Sequence, residues 1–255
     1  YNDSSLTCSV VASDVDNQSL TTSYVWNNDT TSATLGTSST LVLSSSTATR
    51  NDIISCTVTV ADTSGEETTE TTNVTLQNRA PNAPTVAVEP SMAYVDSTLA
   101  CTISSVVDPD EDVVSYQYEW TVNGSAVVET SSTFAGGFTA TDTVLCSVTP
   151  NDGLVDGTAG SSSVVIVNSP PVVTSITLDP NPAYTNSLLS ATATHSDADG
   201  DTVQWNYIWR VDSNEVQNGS INTLASPLFS KGETVTVSVV ANDGTDNSIE
   251  STAST

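Results

Sequence analysis

"YVWNND" (24–29), "YEWTVNG" (118–124) and "YIWRVDS" (207–213) are one phrase written three times. Each carries Tyr-x-Trp, and residues two apart on an extended chain share a face, so each phrase sets two aromatics on one side of a strand. Outward from it, "LTCSVV", "LACTIS" and "LLSATA" come before with one apolar alternation, and "ISCTVTV", "VLCSVTP" and "VTVSVVA" come after with another. The self-similarity has a period of about 90 residues, and it must be read before any single motif. Each unit runs strand, aspartate-rich loop, Trp strand, long middle, late strand. No window shows a helical stripe, and Ser and Thr make up about three residues in ten, a composition suited to strands with polar outer faces. The expected class is all-β.

The cysteines sharpen this. Cys8 and Cys56 flank Trp26, and Cys101 and Cys146 flank Trp120, the Cys…Trp…Cys order in which an inter-sheet disulfide packs on a buried Trp in an immunoglobulin sandwich. In the third unit Val237 stands for Cys146, and Ser190 or Ala191 for Cys101. Loss of both together is expected of bonded partners, since a lone survivor would be a reactive thiol. The alternative is four free buried cysteines. Bonded, they imply an oxidising, extracellular compartment, secreted or at the cell surface.

On these residues, and on the loops "VDPDED" and "SDADGD" and the turns "TPNDG" (149–153) and "ANDG" (241–244), the chain resembles immunoglobulin-like and PKD-like repeats of bacterial surface and secreted proteins over nearly its whole length. One departure is the tyrosine found two residues before the late cysteine in many immunoglobulin domains, replaced here by Ile54 and Val144. The resemblance implies three tandem immunoglobulin-like β-sandwich domains at 1–78, 79–168 and 169–255. Pro-bearing linkers, "NRAPNAP" (78–84) and "NSPP" (168–171), separate them and exclude helix there.

Aligning "YNDSSL", "YVDSTL" and "YTNSLL" leaves the first unit without the opening strand seen as "TVAVEP" and "SITLDP". At the other end, Thr255 falls where the apolar "VVIV" strand begins in the middle unit, so the last unit is expected to lack its final strand. Completion by neighbouring repeats of a longer chain, or by strands from copies of the chain, would then be required.

The loop before each Trp strand follows one scheme: Asp14, Asp16 and Gln18; Asp108, Asp110 and Asp112; Asp197, Asp199 and Asp201. Clustered carboxylates repel unless a cation neutralises them, and Ca²⁺ takes six to eight oxygens from such loops. Calcium is the expected cofactor on all three, weakest where Gln18 replaces a carboxylate, with Asn151-Asp152 and Asn242-Asp243 approaching from the neighbouring loop. An Asx-rich turn without metal is the alternative. An EF-hand is excluded, because its sixth-position Gly is Val113 or Thr202.

Four Lys and Arg against 30 Asp and Glu give a formal charge of −26, which argues against nucleic acid or an anionic membrane as partner. No apolar run reaches the roughly 18 residues of a membrane span. No phosphate loop, nucleophile elbow or zinc-protease helix is written here, and catalysis is not expected. The one histidine, His195, reads as a loop residue. Asn2, Asn17, Asn28, Asn73, Asn123 and Asn218 open Asn-x-Ser/Thr tripeptides that would admit glycans. The expected role is a structural segment of a rod, stalk or filament on a microbial surface. A ligand-binding adhesin segment and a spacer in a secreted enzyme are the rivals.

Overall fold

The computed structural model describes residues 1–104 and 106–255, and these form strands and turns throughout. The first repeat supplies β1 (Ser5–Thr7), β2 (Thr21–Asn28), β3 (Ala33–Gly36), β4 (Thr40–Val42), β5 (Ile53–Ala61) and β6 (Glu67–Thr75). The second supplies β7 (Thr85–Glu89), β8 (Thr98–Ser104), β9 (Ser115–Val122), β10 (Ser125–Ala126), β11 (Thr133–Ala135), β12 (Thr143–Asn151) and β13 (Gly160–Val165). The third supplies β14 (Val172–Asp179), β15 (Leu188–Ser196), β16 (Gln204–Val211), β17 (Asn214–Gly219), β18 (Thr223–Ala225), β19 (Val235–Asn242) and β20 (Ser251–Ser254).

These strands make three pairs of sheets. The larger sheets run β3-β2-β5-β6, β10-β9-β12-β13 and β17-β16-β19-β20; the smaller ones are β1-β4, β11-β8-β7 and β14-β15-β18. The Trp strand and the late strand are central in every larger sheet, so their alternate side chains form the core. Trp120 and Trp209 are fully buried, as is Val237, and Trp26 nearly so. Each indole N–H finds a carbonyl in the segment after its strand: Ser38 (2.8 Å), Ser131 (2.9 Å) and Ile221 (3.3 Å). Trp205 and Tyr207 join the third core on the same face as Trp209, as the alternation predicts.

Cys8 is bonded to Cys56 and Cys101 to Cys146, the first linking the residue after β1 to β5 and the second linking β8 to β12 across the two sheets. The backbone also settles which residue replaces the early cysteine in the third repeat. Cys8 and Cys101 donate their N–H to Ser39 and Ser132, and the matching bond runs from Ala191 to Asn222 at 2.8 Å. Ala191, not Ser190, is therefore the counterpart, and it is buried in the same hydrophobic cluster as Val237.

One expectation is corrected. The last repeat has its final strand: β20 pairs with β19 from Val239↔Ser251 to Thr236↔Ser254, and Thr255 exchanges both backbone bonds with Val235 at 3.0 and 3.1 Å. The equivalent β13 begins at Gly160, eight residues after Asp152, just as Ser251 follows Asp243 by eight. Pairing starts in a polar Ser-rich stretch ahead of "VVIV", so hydrophobicity marked the wrong beginning. In the first repeat, among the described residues, β1 pairs only with β4, where β8 and β15 each have two neighbours.

By compactness the chain divides into two units, one of residues 1–85, 103–117 and 148–160, the other of residues 86–102, 118–147 and 161–255. Each contains one Pro-bearing linker together with the loops that receive it.

Candidate functional site

All three aspartate loops are built alike. The first aspartate turns one oxygen inward to cap the backbone: Asp14 Oδ1 accepts from Asp16 and Gln18 N–H (2.7 and 3.1 Å), Asp108 Oδ1 from Asp110 and Asp112 (2.8 and 3.2 Å), Asp197 Oδ1 from Asp199 and Asp201 (2.9 and 3.2 Å). These are Asx turns, a role that needs no metal. The fourth residue of each loop sits in the left-handed region, with φ of 57° at Asn17, 64° at Glu111 and 79° at Gly200. Only the third copy has the residue best suited to that backbone.

In the first unit the linker is received by two carboxylates, one from the aspartate loop and one from the neighbouring turn. Asn78 Nδ2 donates to Asp152 Oδ2 at 2.8 Å, and the Arg79 N–H donates to Asp110 Oδ2 at 2.6 Å. In the second unit Asn168 Nδ2 donates to Asp243 and Asp246 (both 2.9 Å), and the Ser169 N–H donates to Asp199 Oδ2 at 2.6 Å. Ninety residues apart (78 to 168, 79 to 169), the same two bonds recur. Burial acts to raise the Asp152 carboxyl, but hydrogen bonds from Asn78, Val155 and Leu154 hold it below the usual carboxylate range. Asp243 is likewise held low, first by the Asp246 N–H, against burial and with help from Asn168.

The two receptions differ in what neutralises the charge. In the first unit Arg79 reaches Asp110 Oδ1 through Nε (2.9 Å) and Nη2 (2.7 Å), and it also donates to the Pro109 carbonyl (2.7 Å) and to Asp3 (3.1 Å). Asn2 closes the group by donating to the Asp110 carbonyl at 2.7 Å. The Asp110 hydrogen bonds push the guanidinium pKa further up, and Arg79 in turn holds the Asp3 carboxyl below its usual range. Arg50 forms an ion pair with Asp112. The chain has only four basic residues, and two of them converge on this one loop.

Among the described residues the third loop has no such partner. Asp197, Asp199 and Asp201 each offer an oxygen within 4.8 Å of the others, the one acidic group among the described residues with this geometry. Asp197 Oδ2 and Asp199 Oδ1 are sealed from solvent and accept no hydrogen bond. Arg210 is engaged with Ser238 and Glu250, and Lys231 lines a different cavity with Tyr184 and Thr255.

The first loop stands apart again. Gln18 accepts from Thr63 (2.6 Å) and Ser64 (3.1 Å), so an amide bridges to the neighbouring turn where the other copies place a carboxylate. Among the described residues Asp14 and Asp16 are not grouped with a third acid in metal-ligating geometry. His195 is exposed, its ring edge-on to Trp205 at 5.6 Å, outside the acidic cluster. Asn2 and Asn28 are buried and hydrogen-bonded, so of the Asn-x-Ser/Thr sites only Asn17, Asn73, Asn123 and Asn218 are exposed. Sequence reasoning missed Arg50, Arg79, Asn78 and Asn168. The signal for the last two was present: Asn stands at the same offset before proline in both linkers.

No family model matches the chain, and no curated protein matches it. Among solved structures it is similar to the crystal structure of the FN1–FN3 domains of chicken CNTN1, with 10% identity, a TM-score of 0.33, and coverage of 94% of this chain and 89% of that one.

Proposed function

We propose that the chain is a structural segment of an extracellular protein, a run of sandwich repeats that spaces other parts apart as a rod, stalk or filament on a microbial surface. One observation carries the reading. In both linkers an Asn and the following backbone N–H are bonded to carboxylates of the next repeat, Asn78 and Arg79 to Asp152 and Asp110, Asn168 and Ser169 to Asp243 and Asp199. A linker that spends its polar groups on the domain it enters is a fixed connection, in contrast to the free coil of a Gly/Ser linker. Two disulfides, bonds that persist in oxidising compartments, support an extracellular setting. The acidic surface, at −26, keeps such a segment soluble. Neighbouring repeats, or other copies of the chain, are its natural partners.

Small-angle X-ray scattering on the intact chain tests this. A spacer gives one narrow distribution of maximum dimension, and replacing Asn78 and Asn168 together by Ala broadens it. A broad distribution in the unaltered chain, unchanged by the substitutions, would refute the spacer reading. Saturable binding of a glycan or protein by the exposed loops would favour the adhesin instead.

A further inference from the structure

The two linkers meet the same kind of loop, but one loop is supplied with cationic side chains and the other is not. We propose that Asp197, Asp199 and Asp201 form a Ca²⁺ site, one per chain, and that Arg79 and Arg50 stand in for the ion at the equivalent loop, Asp108 to Asp112. The inference does not depend on the spacer reading.

The argument rests on what each carboxylate has left to do. Asp197 uses Oδ1 on its own turn, and Asp199 uses Oδ2 on the Ser169 N–H. What remains, Asp197 Oδ2 and Asp199 Oδ1, is shut away from water with no donor in reach. An ionised oxygen in that position is costly unless a cation compensates it. Independently of the acidic cluster, Ser169 is only 7% exposed and its hydroxyl also has no partner. Ser169 occupies the linker position that Arg79 holds in the first unit, directly on the middle aspartate. Where the guanidinium is present, Asp110 Oδ1 receives two N–H donors; where serine replaces it, Asp199 Oδ1 receives none.

The donor set defines the ion. All candidate ligands are oxygens, which selects a hard cation over zinc or copper. Oxygens on opposite sides of Ca²⁺, at about 2.4 Å each, lie about 4.8 Å apart, and no two of the three carboxylate oxygens here exceed 4.8 Å. Asp199 and Asp201 also line a cavity with Asp96, so further negative charge faces the same space, and no basic residue is in its wall. The second loop differs at the deciding place: Asp108 Oδ2 is unpartnered too, but its companions Asp110 and Asp112 are occupied by Arg79 and Arg50.

Isothermal titration of the intact chain with CaCl₂ provides the test. One equivalent binds, with a Kd of about 10⁻⁴ to 10⁻³ M, the range of extracellular calcium modules. Asp201→Asn is the informative variant, because the Asp201 carboxylate is exposed and holds up no hydrogen bond, so its loss spares the loop. It weakens binding at least about tenfold by removing one of three ligand charges, while Asp110→Asn leaves stoichiometry and affinity unchanged. Absence of binding up to about 10 mM, about ten times the weakest expected Kd, would overturn the proposal. So would undiminished binding by Asp201→Asn, or two or more equivalents in the unaltered chain.

Discussion

Replacing Arg79 by Ala removes the one cation that, among the described residues, pairs with a carboxylate that has almost no access to water. The Asp110 side chain is 1% exposed, while that of Arg79 is 25% exposed. Breaking a buried pair from one side costs about 3–5 kcal/mol because the surviving charge is left uncompensated. Two features reduce this. Asp110 keeps the backbone N–H of residue 79 at 2.6 Å, and the space vacated by a partly exposed guanidinium admits solvent. Contact with the Tyr1 ring, 4.5 Å from the guanidinium carbon, adds about 0.5–1 kcal/mol to the loss. The balance is a loss of about 2–4 kcal/mol, confined to the first unit. Global melting does not report one unit of a chain this long. Hydrogen exchange followed by mass spectrometry does, on peptides covering residues 1–8 and 106–117. Exchange there is expected to quicken about 30- to 700-fold, at tenfold per 1.4 kcal/mol. Adding Asp110→Asn to the variant removes the stranded charge and recovers most of the protection. A change below about threefold, or two substitutions that simply add, would refute the claim that Arg79 neutralises this loop.

Reduction of the disulfides is expected to destabilise the first and middle repeats by about 2–4 kcal/mol each and to leave the third unaffected, since Ala191 and Val237 fill that place; repeat-resolved hydrogen exchange with and without reductant distinguishes this from a uniform loss. Gly200→Ala should cost about 1 kcal/mol, because φ is +79° there and nothing lies within 4 Å of an added Cβ, so backbone conformation is the whole penalty; hydrogen exchange on peptides covering residues 196–204 in the absence of calcium measures it, and a neutral result would show that the loop relaxes.

Much of this molecule is legible in one dimension. Tyr-x-Trp, the alternation on either side of it and the paired cysteines determine the all-β class, the repeat and the core, because strand periodicity and disulfide order are local patterns that tertiary structure only assembles. The turn-forming half of the aspartate loops is equally local: an Asx cap and a left-handed fourth residue span five positions. The final strand of the third repeat is not legible in the sequence, which leads to the expectation that it is missing, because its pairing begins in Ser-rich sequence, where backbone hydrogen bonds to β19 decide the strand and side-chain hydrophobicity is silent. The charge balance of the loops could not be read at all. Arg50 and Arg79 lie 58 and 29 residues before Asp108, and only folding shows that they reach Asp112 and Asp110 while Ser169 brings no charge to Asp199. Three copies of one acidic motif thus meet three different surroundings, because electrostatic neutralisation depends on distance in space, which a spacing along the chain does not encode.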